Sequence, residues 1–145
     1  MKNTTSDLLQ PTLPKIKIRN LVLAEDDTED AEIFRDILID VSSGIRLSVV
    51  SNGLLLMNLL HTTQEPPDII FLDMNMPLKN GLQCLREIRN FDKWNHIRII
   101  ILSTSSQPEL VKTAYELGAE LYLEKPTSYS KFKMLIRECL ATEPI

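Results

Sequence analysis

From residue 20 onward, short uninterrupted apolar runs alternate with stretches whose apolar residues recur at helical spacing, and the alternation repeats five times. That repeated switch of period constrains the fold more than any other feature. An all-β chain or a helical bundle would hold one period throughout. Residues 20–24 (NLVLA), 46–50 (RLSVV), 68–72 (DIIFL), 97–102 (IRIIIL) and 120–123 (ELYL) read as strands. Phe34, Ile37, Leu38 and Val41 stripe a helix over residues 28–41. A leucine-rich second helix follows at 54–61, and Leu82, Leu85 and Ile88 mark a third. The fourth, over 107–117, is expected to open on a capping box in Ser106-Gln-Pro-Glu109 and to stop at Gly118. Phe132, Leu135, Ile136 and Cys139 stripe the last.

Strands that are apolar on both faces and separated by helices imply a parallel sheet covered on both sides. Five such units predict an α/β fold, a doubly wound five-stranded parallel sheet in the flavodoxin-like order 2-1-3-4-5. The 145 residues suit one domain, expected over 18–145. Residues 1–17 are polar, with Pro11 and Pro14 close together, and read as a flexible N-terminal extension.

With 43% hydrophobic residues, a domain of this size buries enough surface to need no disulfide or structural metal. Cys84 and Cys139 fall on apolar helical stripes and read as buried, reduced thiols. A net charge of −4 argues against a nucleic-acid-binding surface. No segment approaches the ~20 apolar residues of a membrane span. Residues 1–19 lack the apolar core of a signal peptide, so the cytoplasm is the expected location.

Chemistry gathers at the strand ends. The first strand runs into Glu25-Asp26-Asp27, the third into Asp73, the fourth into Ser103, and the fifth into Lys125 and Pro126. In a parallel sheet these ends share one edge, and ligands bind there where the strand order switches. Taken singly, each residue has a structural reading: Asp27 or Thr28 as a helix N-cap, Asp73 as the start of a turn, Ser103 as part of a cap region, Lys125 as a solvated charge. Their joint occurrence at four strand ends favours a site. Ionised carboxylates brought within a few ångströms repel, so one protonates or a cation sits among them. Hard oxygen ligands with open positions suit Mg²⁺, which takes phosphate oxygens readily. A phosphoryl group would find Mg²⁺, Lys125 and the Ser103 hydroxyl as partners.

The string Asp73-Met-Asn75-Met-Pro77-Leu-Lys-Asn80-Gly81 resembles the phosphoacceptor region of two-component response regulators. So do Ala24-Glu25-Asp26-Asp27, Leu102-Ser103-Thr104, and Gly118-Ala119 with Tyr122 and Glu124-Lys125-Pro126. The resemblance covers residues 18–141 and is to single-domain receivers of the chemotaxis and phytochrome-associated kinds. It implies that Asp73 is the phosphoacceptor. It implies that Asp26 and Asp73 bind Mg²⁺ by their carboxylates, Asn75 by its backbone carbonyl and Glu25 through water. Ser103 takes the switch-hydroxyl position, Lys125 pairs with the phosphoryl group, and Tyr122 takes the aromatic switch position. The bond before the proline corresponding to Pro126 is commonly cis in that family, which makes Lys125–Pro126 the place to expect a cis bond. Thr104 and Thr127 depart from the family's usual residues.

The resemblance further implies a signalling switch, not a turnover enzyme. A histidine kinase or phosphotransfer protein would donate the phosphoryl group, and a downstream effector protein would read it. With the chain ending at Ile145 and no output domain recognised, the signal is expected to leave through a partner, and a homodimer through the last helices stays open. Two other readings remain. One is a pseudo-receiver that binds without phosphorylation. The other is a haloacid-dehalogenase-like phosphatase, which expects a second Asp where this chain has Asn75.

Overall fold

The computed structural model describes residues 17–141. The expected N-terminal extension lies outside them except for Lys17. Five strands, β1 (Asn20–Ala24), β2 (Arg46–Val50), β3 (Ile69–Asp73), β4 (Arg98–Ser103) and β5 (Leu121–Glu124), alternate with α1 (Thr28–Val41), α2 (Gly53–Thr62), α3 (Gly81–Arg89), α4 (Pro108–Glu116) and α5 (Tyr129–Ala141). A single 3₁₀ turn, Asp92–Trp94, precedes β4. The sheet is parallel throughout in the order β2-β1-β3-β4-β5, as the sequence predicts. Three strands run one residue beyond their predicted ends. The ladder continues through Asp73, opposite Leu102, and through Ser103, opposite Glu124.

Side chains alternate across a strand, so β3 and β4 feed both faces of the sheet. Phe71 and Ile100 point toward α1 and α5, where Phe34, Ile37 and Ile136 meet them. Ile70 and Ile101 point toward the opposite layer, where Leu56 of α2, Leu85 of α3 and Ala114 of α4 pack. All of these are essentially excluded from water. Phe34 stands edge-on to Phe71 at 5.0 Å, fixing α1 over the centre of the sheet. Cys84 and Cys139 are both buried free thiols. No helix among the described residues is long and apolar enough to cross a membrane.

The helix starts differ from one another. Asp27 caps α1 by accepting from Asp30 N–H, and Asn52 caps α2 by accepting from Leu55 N–H. A capping box does form, but at α3: Asn80 N–H donates to Gln83 Oε1 at 2.8 Å and Gln83 N–H to Asn80 Oδ1 at 2.9 Å. The one expected from Ser106 and Glu109 does not. The helix begins at Pro108, Gln107 is its cap residue, and no side chain caps it. The serine hydroxyls there close local turns instead, with Ser103 Oγ accepting from Ser105 N–H and Ser105 Oγ from Gln107 N–H. Gly118 ends α4 with φ of 105°, as expected of a C-terminal glycine.

The loop from β3 to α3 positions the strand end. Leu78 adopts φ of 69° and Lys79 N–H donates to Pro77 C=O at 2.7 Å, a tight turn a β-carbon resists. That turn brings Lys79 against Gly53, and its ammonium pairs with Glu87. Gly81 then returns to Asp73: its N–H donates to Met74 C=O, and a β-carbon on it would stand 2.7 Å from Asp73 O and 2.9 Å from Met74 Cα. Gly81→Ala is therefore expected to destabilise the fold by about 1–3 kcal/mol through overpacking against backbone. Urea unfolding measures this, and an unchanged midpoint would show that the loop yields freely.

Candidate functional site

β1 and β3 are neighbours, with Ala24 opposite Leu72, so the residues that follow come level at the carboxyl edge of the sheet. Glu25 stays on the β2 ladder through its N–H to Val50 C=O, and the residue is buried at 4% exposure. Asp73 is buried at 5%. Asp26 is exposed beside them. Carboxylate oxygens of Glu25, Asp26 and Asp73 lie within 4.8 Å of one another, the arrangement expected from the strand ends. Lys125 follows β5, and its N–H donates to Ser103 C=O at 2.8 Å. Its Nζ donates to Glu25 Oε1 at 2.7 Å and to Asp30 Oδ2 at 3.3 Å, and lies 3.7 Å from Asp73 Oδ1.

Burial sets the electrostatics. Loss of water pushes the Glu25 carboxyl up to about 7, a hydrogen bond to Asp73 adds to the rise, and Lys125 works against it. Asp73 is raised as well, again chiefly by burial, with the bond to Glu25, the Lys125 charge and the Asn75 N–H opposing. Burial disfavours the Lys125 ammonium, but its hydrogen bond to Glu25 and the Asp73 charge outweigh this, so it remains firmly protonated. Both acids ionised together would carry more negative charge than one ammonium neutralises, and with Lys125 as the cation beside them both are pushed toward protonation. Three hard oxygen donors grouped this closely fit a divalent cation such as Mg²⁺, whose charge would let both buried acids ionise.

The remaining predicted residues gather around this centre. Asn75 is exposed and its N–H donates to Asp73 Oδ1 at 3.2 Å, which leaves its carbonyl free of that contact. Ser103 is fully buried. Its hydroxyl oxygen accepts from Ser105 N–H at 3.0 Å, and Ser105 C=O accepts from Tyr122 Oη at 2.5 Å. Tyr122 is 9% exposed with its ring in the core layer under α4, and its N–H donates to Tyr115 Oη at 3.0 Å. Thr104 is exposed. The cis bond expected at Lys125–Pro126 is not found: no peptide bond among the described residues is cis. The trans form is favoured intrinsically even before proline, and here it accompanies the Lys125 N–H bond to β4. Sequence reasoning missed Asp30. The available signal was its position three residues after the cap Asp27, but only the fold turns it toward Lys125.

Because Glu25 holds its proton more tightly folded than unfolded, its contribution to stability is complete below about 4.5 and is lost as pH rises to about 7. Asp73 acts in the same direction. Urea unfolding in the presence of a chelator should therefore show a midpoint falling between about pH 5 and pH 7, with a shallower fall in Glu25→Gln. An equal slope in that variant places the linkage elsewhere.

The family described as the response regulator receiver domain matches residues 21–137. Over 121 residues the chain is 30% identical to the response regulator Rcp1 of Synechocystis sp., covering 79% of this chain and 82% of Rcp1. It is 32% identical over 129 residues to the sensory transduction protein LytT of Oceanobacillus iheyensis, covering 87% of this chain but 51% of LytT, so it spans about half that relative's length. The structure of Mn²⁺-bound Rcp1 matches with a TM-score of 0.76 at 26% identity, covering 91% of this chain and 100% of that one. The phosphorylated cyanobacterial phytochrome response regulator RcpA shares the fold, with a TM-score of 0.80 at 24% identity over 88% of this chain and 99% of that one. With its strand order, its matched span and these relatives in agreement, the chain belongs to the receiver-domain family of two-component response regulators.

Proposed function

We propose that this receiver is a phosphorylation switch in which Asp73 accepts a phosphoryl group from a phosphohistidine on a histidine kinase or phosphotransfer protein. The observation that carries the reading is the setting of Asp73. It is a buried carboxylate at a strand end, grouped with Glu25 and Asp26 and within 3.7 Å of the Lys125 ammonium. Glu25, Asp26 and Asp73, with the Asn75 backbone carbonyl, would hold Mg²⁺. When bound, the cation offsets charge growing on the phosphoryl oxygens.

An Asp73 oxygen attacks phosphorus, forming an O–P bond as the P–N bond breaks. The imidazole leaves with the electron pair and takes up a proton. Burial keeps Asp73 poorly hydrated and so readily available as a nucleophile. Lys125 meets the −1.5 to −2 charge that arrives, as a point charge. Ser103 can donate its O–H to a phosphoryl oxygen, since the bond it makes to Ser105 N–H uses its oxygen as acceptor. Movement of Ser103 would pull on Ser105, and through it on the Tyr122 hydroxyl, which gives the aromatic position a route to respond. The altered surface around α4, β5 and α5 is then read by a downstream effector protein. The product is a switched state, not a released molecule, so the chain acts in signalling more than in turnover.

Retention of Glu25, Asp26, Asp73, Ser103 and Lys125 in one site speaks against a pseudo-receiver. Asn75, where a phosphatase of the haloacid-dehalogenase kind needs a second acid, speaks against that activity. Incubation with acetyl phosphate and Mg²⁺ should give one phosphoryl group per chain, and Asp73→Asn should abolish labelling while leaving the circular dichroism spectrum unchanged. Equal labelling of the Asn variant would refute the assignment.

The metal half of the reading has its own test. Asp26→Ala should weaken Mg²⁺ binding at least tenfold, because it removes an exposed hard ligand from a site that keeps several waters. Titration followed by NMR measures this, and an affinity equal to wild type would remove Asp26 from the site.

A further inference from the structure

The first turn of α1 carries an acid that the chemistry above does not use. Asp27 caps the helix, and Asp30 stands three residues on, where an acid ordinarily reaches back to the N–H of the cap residue. That N–H is already taken, since Asp27 N–H donates to Glu25 Oε2 at 3.3 Å. The Asp30 carboxylate turns across the site instead and accepts from Lys125 Nζ, 95 residues further along the chain.

Lys125 is consequently drawn toward α1. It hydrogen-bonds Glu25 at 2.7 Å and Asp30 at 3.3 Å, while Asp73 Oδ1 at 3.7 Å stays beyond hydrogen-bond reach. The three carboxylates competing for this ammonium differ in exposure. The Glu25 and Asp73 side chains are 3% and 7% exposed, and that of Asp30 is 42%. A buried carboxylate that loses its partner is left uncompensated, whereas Asp30 can exchange the ammonium for water. Asp30 is the contact that yields when a new anion appears beside Lys125.

We propose that Asp30 is a positioning residue for Lys125, a latch that holds the ammonium toward α1 in the unphosphorylated receiver and releases it when Asp73 carries a phosphoryl group. The inference rests on Asp73 being the acceptor. In the resting state the Asp30 charge is paired. In the switched state it is unpaired and faces an added −1.5 to −2 charge nearby. A group that interacts differently with two states biases their equilibrium by that difference, so Asp30 favours the resting state. Exposed ion pairs are weak, and the bias amounts to about two- to fivefold in an equilibrium constant.

Beryllofluoride with Mg²⁺, standing in for the phosphoryl group on Asp73, reads this bias as a binding affinity in an NMR titration. Asp30→Asn should bind beryllofluoride about two- to fivefold more tightly than wild type at low ionic strength, with the gain shrinking as salt screens exposed charges. Asp30→Glu should return toward the wild-type affinity. Glu29→Gln, which removes a charge from the same helical turn, should bind as wild type does. A merely structural role for Asp30 would move the thermal midpoint and leave these affinities equal. Equal affinity in Asp30→Asn, or an equal gain in Glu29→Gln, overturns the latch alone. Failure of the wild-type protein to bind beryllofluoride at all overturns the assignment of Asp73 and the latch with it.

Discussion

Two carboxylates buried side by side cannot both be charged unless a cation compensates them, and within this chain that cation is Lys125. Glu25 and Asp73 are held out of water at the ends of β1 and β3, and burial raises both toward protonation. The ammonium that offsets them comes from the far side of the sheet, after β5. One charge cluster thereby ties together the start of α1 and the ends of three strands. Its three grouped carboxylates fit a divalent cation, which would relieve their mutual repulsion.

A second line of contacts runs from that cluster into the α4 layer. Ser103, Ser105 and Tyr122 are joined by consecutive hydrogen bonds, and Tyr115 closes the line on the Tyr122 backbone. The loop before α4 carries no side-chain cap, Gln107 being the cap residue, and the Ser103 and Ser105 hydroxyls close local turns there.

The opposite edge of the sheet is built on the contrary principle. Arg98, at the start of β4, is buried and meets Glu120 through two bonds of 2.6 and 2.9 Å, and it also donates to Cys139 C=O at the end of α5. Arg89 donates to the carbonyls of Gly118, Trp94 and Ile97, joining the end of α3 to the turns around it. The buried Arg98–Glu120 pair is matched charge to charge, and removing either partner would strand the other. The paired charges thus sit at the amino edge of the strands and the grouped carboxylates at the carboxyl edge.

The sequence by itself determined the fold class and most of the site. Uninterrupted apolar runs such as IIFL and IIIL between helical stripes admit hardly any arrangement except a parallel sheet with helices on both faces, because each strand must hide both its sides. Once the strand order follows, Asp73, Glu25, Ser103 and Lys125 converge by topology alone, since all parallel strands end along one edge. Distances between side chains were beyond its reach. Nothing in a string of letters turns Asp30 away from its own helix start toward Lys125, spends the serines before α4 on turns instead of a capping box, or leaves the Lys125–Pro126 bond trans. Those outcomes depend on which of several competing donors lies nearest after packing. That competition is settled over a few tenths of an ångström in the assembled structure, by groups about a hundred residues apart.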